Sequence, residues 1–202
     1  MRRICLGDEP GRDDAIAIAA AVLRGGGVAI LPAEGVYGLH ALATHPVALA
    51  TLRRLKPRET GKSYIGLVAQ PGDVQPWVIS VGRAARSLIE SHWPGALTLI
   101  FEASPATPDS IRGDDGTVAL RCPGNLFLRT VIGAVGAMVV STSANAPGDP
   151  PTGRVPEELA SRVELVVDAG ALSGIPSTIV SVVGDEPRVV RPGAVEVGGP
   201  PS

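Results

Sequence analysis

The sequence predicts an α/β fold: a twisted, mixed parallel/antiparallel sheet flanked by helices. Two observations carry this. Helical and strand patterns interleave through most of the chain, then strand patterns follow one another near the end, which suits a sheet that is partly parallel and partly antiparallel. Hydrophobic residues make up 45% of the chain but aromatic ones only 3%. The interior must therefore be built from Val, Leu, Ile and Ala. A length of 202 residues suits one domain spanning 1–202, with a core over about 14–195 and frayed termini.

The elements follow in order. Asp14 to Leu23 place Ile16, Ala19, Ala20 and Leu23 on one helical face, with Asp13 as N-cap and Gly25 as stop. "GGVAILPAEGVYGL" reads as strand and loop. Thr44 or His45 opens a second helix, "PVALATLRRLK", whose Pro46 is tolerated in the first turn. "YIGLVA" is a strand, Ser80 caps a third helix running to about His92, and "WPGALTLIFEA" turns into a strand. "TVALRCP" is a short strand ended by Pro123, Leu126 to Val135 is helical, and "AMVVST" is a strand. "VPEELASRV" gives a short helix; "ELVVDAG", "STIVSVV" and "PRVVRPG" are three strands in succession.

Composition excludes several functions. A net charge of -2 offers no global attraction for nucleic acid or anionic lipid, so any anion site must be a local basic cluster. Cys5 and Cys122 make no CxxC pair, and His40, His45 and His92 lack metal-ligand spacing, so no protein-held metal is expected. No segment approaches the roughly 20 apolar residues of a membrane helix, and "MRRICLGDEPGRDD" has no apolar leader core. The expected location is cytoplasmic. The Gly25-Gly26-Gly27 run lacks the Lys-Ser/Thr ending of a P-loop.

Two stretches could carry chemistry. "VVSTSANAPGDPP" runs a hydrophobic strand into Ser141, Thr142, Ser143 and Asn145 before a Gly/Pro turn, more polar groups than ending a strand requires. Ser143 and Asn145 either cap that turn or bind a polar ligand. "LRRLKPRETGKS" holds Arg53, Arg54, Lys56, Arg58 and Lys62; Pro57 ends the helix, so Lys56 and Arg58 project from a constrained loop. The fork of an Arg and the point charge of a Lys together suit a polyphosphate. Arg121 and Arg191 each end an apolar strand close to a Pro, where a charge needs a partner such as a bound carboxylate or phosphate.

The ordered set Lys56-Pro57-Arg58, "WPGALTL", "TVALR", "STSAN" and "PSTIVSV…RVVRPGA" resembles the YrdC-like family of threonylcarbamoyl-AMP synthases, from about Asp14 to Val195 and in its short, single-domain form. The resemblance implies a large electropositive cavity in the α/β fold. It implies the joining of L-threonine, bicarbonate and ATP, with Mg²⁺ carried on the ATP, into threonylcarbamoyl-AMP and pyrophosphate. A downstream threonylcarbamoyl transferase complex would move the product's acyl group onto tRNA. The implied catalytic residues are Lys56, Arg58, Ser143 and Asn145. Arg58, Lys62, Thr117, Ala144, Thr152 and Arg191 would bind ATP, and Gly35, Arg121, Thr142 and Ser177 threonine.

The chain also departs from the family. Where relatives carry "PTDTVYGLG" or a close variant it has "PAEGVYGLH", losing two hydroxyls at Ala33 and Gly35 and placing His40 for a Gly; Ser63 and Leu67 replace a Pro and a His found in some members. Two alternatives follow: a carbamoyl-adenylate-type enzyme with another amine or acceptor, and a noncatalytic RNA-binding module. The scarcity of aromatics argues against base-stacking platforms in the latter.

Overall fold

The computed structural model describes residues 1–6, 11–57, 63–146, 148–184 and 186–197. In chain order these form β1 (Arg2–Cys5), α1 (Gly11–Arg24), β2 (Ala29–Pro32), β3 (Tyr37–Leu42), α2 (Pro46–Leu55), β4 (Ile65–Leu67), α3 (Arg83–His92), β5 (Leu97–Glu102), β6 (Thr117–Arg121), α4 (Leu126–Val135), β7 (Val139–Ser143), α5 (Glu157–Ala160), β8 (Leu165–Asp168), β9 (Thr178–Ser181) and β10 (Arg188–Arg191). A 3-10 segment, Pro71–Trp77, follows β4.

All the strands join one ten-stranded sheet in the order β1-β8-β2-β3-β7-β4-β6-β5-β9-β10. Pairing is parallel for β1 with β8, β8 with β2, β4 with β6 and β5 with β9, and antiparallel elsewhere. This is the mixed sheet the sequence predicts. Strand alternation divides the core into two layers. Ala29, Leu31, Val139, Leu165 and Val167 face α1 and α4, where Ala15, Ala19, Leu23, Phe127 and Val131 meet them. Ile30, Val140 and Val166 face the other side, with Tyr37, Leu39 and the Leu49, Leu52 and Leu55 stripe of α2.

Several boundaries differ from the sequence reading. The sheet begins at Arg2, well before Asp14, because "RRIC" finds a parallel partner in β8, with Arg2 opposite Leu165. Asp13 and Asp14 lie inside the first turn of α1 and do not cap it; their charges there complement the N-terminal end of the helix. His45 does cap α2, its ring accepting from Ala48 N at 3.4 Å. Helix α3 starts after Gly82, not Ser80, since the backbone is still extended at Gly82. The last three predicted strands do not lie together: β8 inserts between β1 and β2 at one end of the sheet, while β9 and β10 close the other.

Candidate active site

Strand β7 is antiparallel to both β3 and β4, with Ser141 opposite His40 and Ile65, so its polar end reaches the middle of the sheet. Past Ser143 the chain turns with Ala144 N donating to Tyr37 O (2.8 Å). Lys56, at the C-terminal end of α2, reaches this turn from the adjacent helix. Its Nζ donates to Ser143 O (2.7 Å), Ser143 Oγ (2.9 Å) and Asn145 Oδ1 (2.6 Å). The amide nitrogen of Asn145 donates onward to Ala146 O (3.0 Å) and Asp149 O (2.6 Å). Asn145 therefore closes the turn, as one of the two readings of the sequence has it, and also holds the ammonium of a residue 89 positions away.

Beside this turn lies a cavity of about 600 Å³, within the usual small-molecule range. Thr117, Arg121, Thr142, Ser143, Ser177 and Arg191 all line it. On β6 the residues Thr117, Ala119 and Arg121 point into the cavity, while Val118 and Leu120 alternate to the opposite, packed face. A smaller cavity of about 360 Å³, between β4, the 3-10 segment and α4, contains none of the candidate residues.

Each wall has its own chemistry. The Thr117 hydroxyl donates to Asp115 Oδ1 (2.7 Å) and the Thr117 N–H to the same oxygen (3.1 Å); these bonds, the hydroxyl's first, lower the Asp115 pKa and keep a carboxylate at the cavity wall. Ser177 Oγ shares a hydrogen bond with Thr98 Oγ1 (3.0 Å). Arg191 Nη2 donates to Ser177 O (2.7 Å) and Oγ (3.3 Å). Burial, and behind it the neighbouring Arg121, lowers the Arg191 pKa. Arg121 donates from Nε to Gly95 O (3.0 Å) and from Nη2 to the Glu34 carboxylate. Beneath the floor, His40 is fully buried, with Nε2 3.3 Å from Ser141 Oγ; burial above all drives its pKa down to about 4, so the ring is neutral near pH 7.

Other predicted residues lie off the cavity lining. Gly35 is held against the chain at Ser173 to Ile175: Gly174 N donates to Gly35 O (2.7 Å), and a Cβ at position 35 would overlap the Ile175 carbonyl oxygen. The missing hydroxyl there follows from close backbone packing. Ala144 is buried and Thr152 accepts from Tyr37 N (3.3 Å), both in the backbone that supports the turn. Arg58 and Lys62 lie outside the described residues. The sequence reading missed Glu34 and Asp115, and named Ser141, which also lines the cavity, only as part of the polar strand end. Glu34 stands between Ala33 and Gly35, the two positions whose lost hydroxyls drew attention, and its charge in a Gly-flanked turn was the available signal.

The chain matches the Sua5_yciO_yrdC family, described as telomere recombination, over residues 21–193. The chain belongs to this family. A threonylcarbamoyl-AMP synthase of Bacillus subtilis is 34% identical over 188 residues, covering 91% of this chain and 54% of that protein. One from Stenotrophomonas maltophilia is 35% identical over 158 residues, 77% of this chain and 84% of its own length. Among solved structures, P. abyssi Sua5 complexed with L-threonine superposes with a TM-score of 0.87 at 27% identity, covering 96% of this chain and 58% of that one. E. coli YciO superposes at 0.86 and 25% identity, covering 96% and 97%. This chain thus spans under two thirds of the Sua5 chain and nearly all of YciO.

Proposed function

We propose that this protein is an L-threonylcarbamoyladenylate synthase, making threonylcarbamoyl-AMP and pyrophosphate from L-threonine, bicarbonate and ATP. The observation that carries this reading is the binding of Lys56 by Ser143 and Asn145 at the rim of a cavity that also presents Arg121 and Arg191. The threonine amine attacks bicarbonate carbon, and loss of water leaves a carbamate. A carbamate oxygen then attacks the α-phosphorus while the bond to the β-phosphate breaks and pyrophosphate departs. Negative charge grows on the nonbridging and leaving oxygens, so cations fixed beforehand lower the barrier. Lys56, held in a fixed position, and Arg58 are assigned that role, and no protein nucleophile is needed.

Thr117 and Arg191 are assigned to ATP with Lys62, Ala144 and Thr152; Thr142 and Ser177 are assigned to the amino acid, whose carboxylate Arg121 takes. Mg²⁺ arrives with the nucleotide. It typically keeps waters and uses one or two carboxylates beside substrate phosphates, and Asp115 is a carboxylate suitably placed in the cavity wall. The product would pass to a tRNA-modifying transferase complex in the cytoplasm. The buried, hydroxyl-free Ala33 in the lining keeps a second reading in view, in which the same scaffold takes another amine.

The test is pyrophosphate release by purified protein with ATP, Mg²⁺ and bicarbonate across a panel of amino acids. Threonine-dependent release with a threonylcarbamoyl-AMP mass supports the proposal. Dependence on a different amine replaces the substrate, and silence accompanied by tight RNA binding replaces the function.

A further inference from the structure

Arg121 is buried at 8% exposure, and the side edge of its planar fork is already in use: Nε donates to Gly95 O and Nη2 to Glu34. A guanidinium has two edges able to present parallel N–H groups. With the Nε–Nη2 edge turned to protein, the Nη1–Nη2 edge is the one that can meet a carboxylate in the cavity. No described residue accepts from Nη1.

Glu34 is itself fixed. Its second carboxylate oxygen accepts from Gly124 N, in the turn before α4. The backbone on either side is held as well. Asn125 Nδ2 donates to Ala33 O (3.2 Å), Ala33 N to Val36 O (3.1 Å), and Gly174 N to Gly35 O (2.7 Å). A carboxylate on so constrained a turn, bound at both oxygens, orients its partner and does not swing between alternatives.

We propose that Glu34 is a positioning residue for amino-acid recognition. It rotates and holds Arg121 so that the free edge of the fork takes the substrate carboxylate in a bidentate pair. The inference rests on the functional reading above and deepens its amino-acid end. A charge-assisted hydrogen bond contributes about 1.5–3 kcal/mol, which corresponds to roughly 10- to 100-fold in affinity.

The experiment measures steady-state kinetics of pyrophosphate release in the full chain. Glu34→Ala is expected to raise the threonine KM roughly 10- to 100-fold while kcat and the ATP KM change less than about threefold. Glu34→Gln, which can still accept from Arg121 but turns an amide N–H₂ toward Gly124 N–H, is expected to fall between wild type and Ala. Should Glu34→Ala fold poorly, Glu34→Gln carries the same test. The double variant with Arg121→Ala should be no worse than Arg121→Ala alone, because Glu34 acts only through Arg121. An unchanged or lowered threonine KM in the Glu34 variants overturns the inference, as do additive losses in the double variant. A wild type that turns over with no amino acid overturns the functional reading and this inference with it.

Discussion

The two ends of the cavity hold their cations in different ways. At the rim, the Lys56 ammonium donates to three oxygens of one strand end, Ser143 O, Ser143 Oγ and Asn145 Oδ1. Inside, Arg121 meets a carboxylate, Glu34, and Arg191 meets the carbonyl and hydroxyl of Ser177. Three acceptors converging on one ammonium fix where its charge sits before phosphate oxygens gain charge during reaction. A carboxylate that is itself bound at both oxygens instead turns the planar fork of Arg121, which suits recognition of a ligand whose charge does not change. We propose that the rim serves catalysis and that Arg121, at the inner corner, selects the amino acid.

The sharpest way to break that contrast is Lys56→Ala. If the rim stabilises the transition state, pyrophosphate release falls about 100- to 1,000-fold, the usual cost of removing one preorganised electrostatic contact. Melting temperature should move by only a few degrees. A variant that melts much earlier yet keeps its kcat would reduce Lys56 to turn support.

Next is pH, through the histidine under the floor. His40 has its pKa lowered by burial from 6.5 to about 4. Between those values the unfolded chain binds a proton that the folded chain refuses, so stability is lost as pH falls from about 6.5 to about 4 and is flat above. The loss approaches about 3 kcal/mol for this group. His40→Gln can keep a hydrogen bond to Ser141 without titrating. Chemical denaturation of both proteins at pH 7 and pH 4.5 should show a smaller acid loss in the variant; equal losses would assign the slope to other groups.

The rim was legible in the sequence, whereas of the inner corner only Arg121, Arg191 and Ser177 were named and the partner of Arg121 was not, for a physical reason. Ser143 and Asn145 lie two positions apart at the end of one strand, and Lys56 precedes a Pro that stops its helix, so local pattern marks both halves. Helix α4 was legible to its ends because its apolar residues repeat with helical period and Asn125 caps it, accepting from Leu128 N at 3.0 Å. The pair of Glu34 and Arg121 joins residues 87 positions apart, and no periodicity encodes it. Strand β1 has exposed Arg2, Arg3 and Cys5 and only half-buried Ile4, too little alternation to register as a strand until β8 supplies its partner. The placement of β8 is likewise decided by packing against β1 and β2, far from its neighbours in sequence.

A third variant asks whether the inner corner owes its selectivity to missing hydroxyls. Gly35→Thr restores a family side chain, but its Cβ would overlap the Ile175 carbonyl, a backbone atom that cannot step aside alone. Stability should fall by about 1–3 kcal/mol, the range for overpacking, without a tighter preference for threonine over serine. Unchanged stability with stricter selection would show that the segment from Ser173 to Ile175 moves to admit a hydroxyl at position 35.

The smallest effect is expected at Ser177, where the inner corner has a redundant support. Its hydroxyl meets Thr98 Oγ1 at 3.0 Å and Arg191 Nη2 at 3.3 Å, but Arg191 also donates to the Ser177 carbonyl at 2.7 Å, and Ser177→Ala leaves that shorter bond intact. Arg191 should therefore stay in place, and the variant should lose only the hydroxyl's own contribution, about 1 kcal/mol or a several-fold rise in KM. Thr98, with no exposed surface, loses its described side-chain partner, so some of that loss should appear as a lower melting temperature. Measuring the KM values for ATP and threonine separately locates the effect. A rise confined to threonine keeps Ser177 at the amino-acid end, whereas a rise confined to ATP moves it to the nucleotide, beside Arg191.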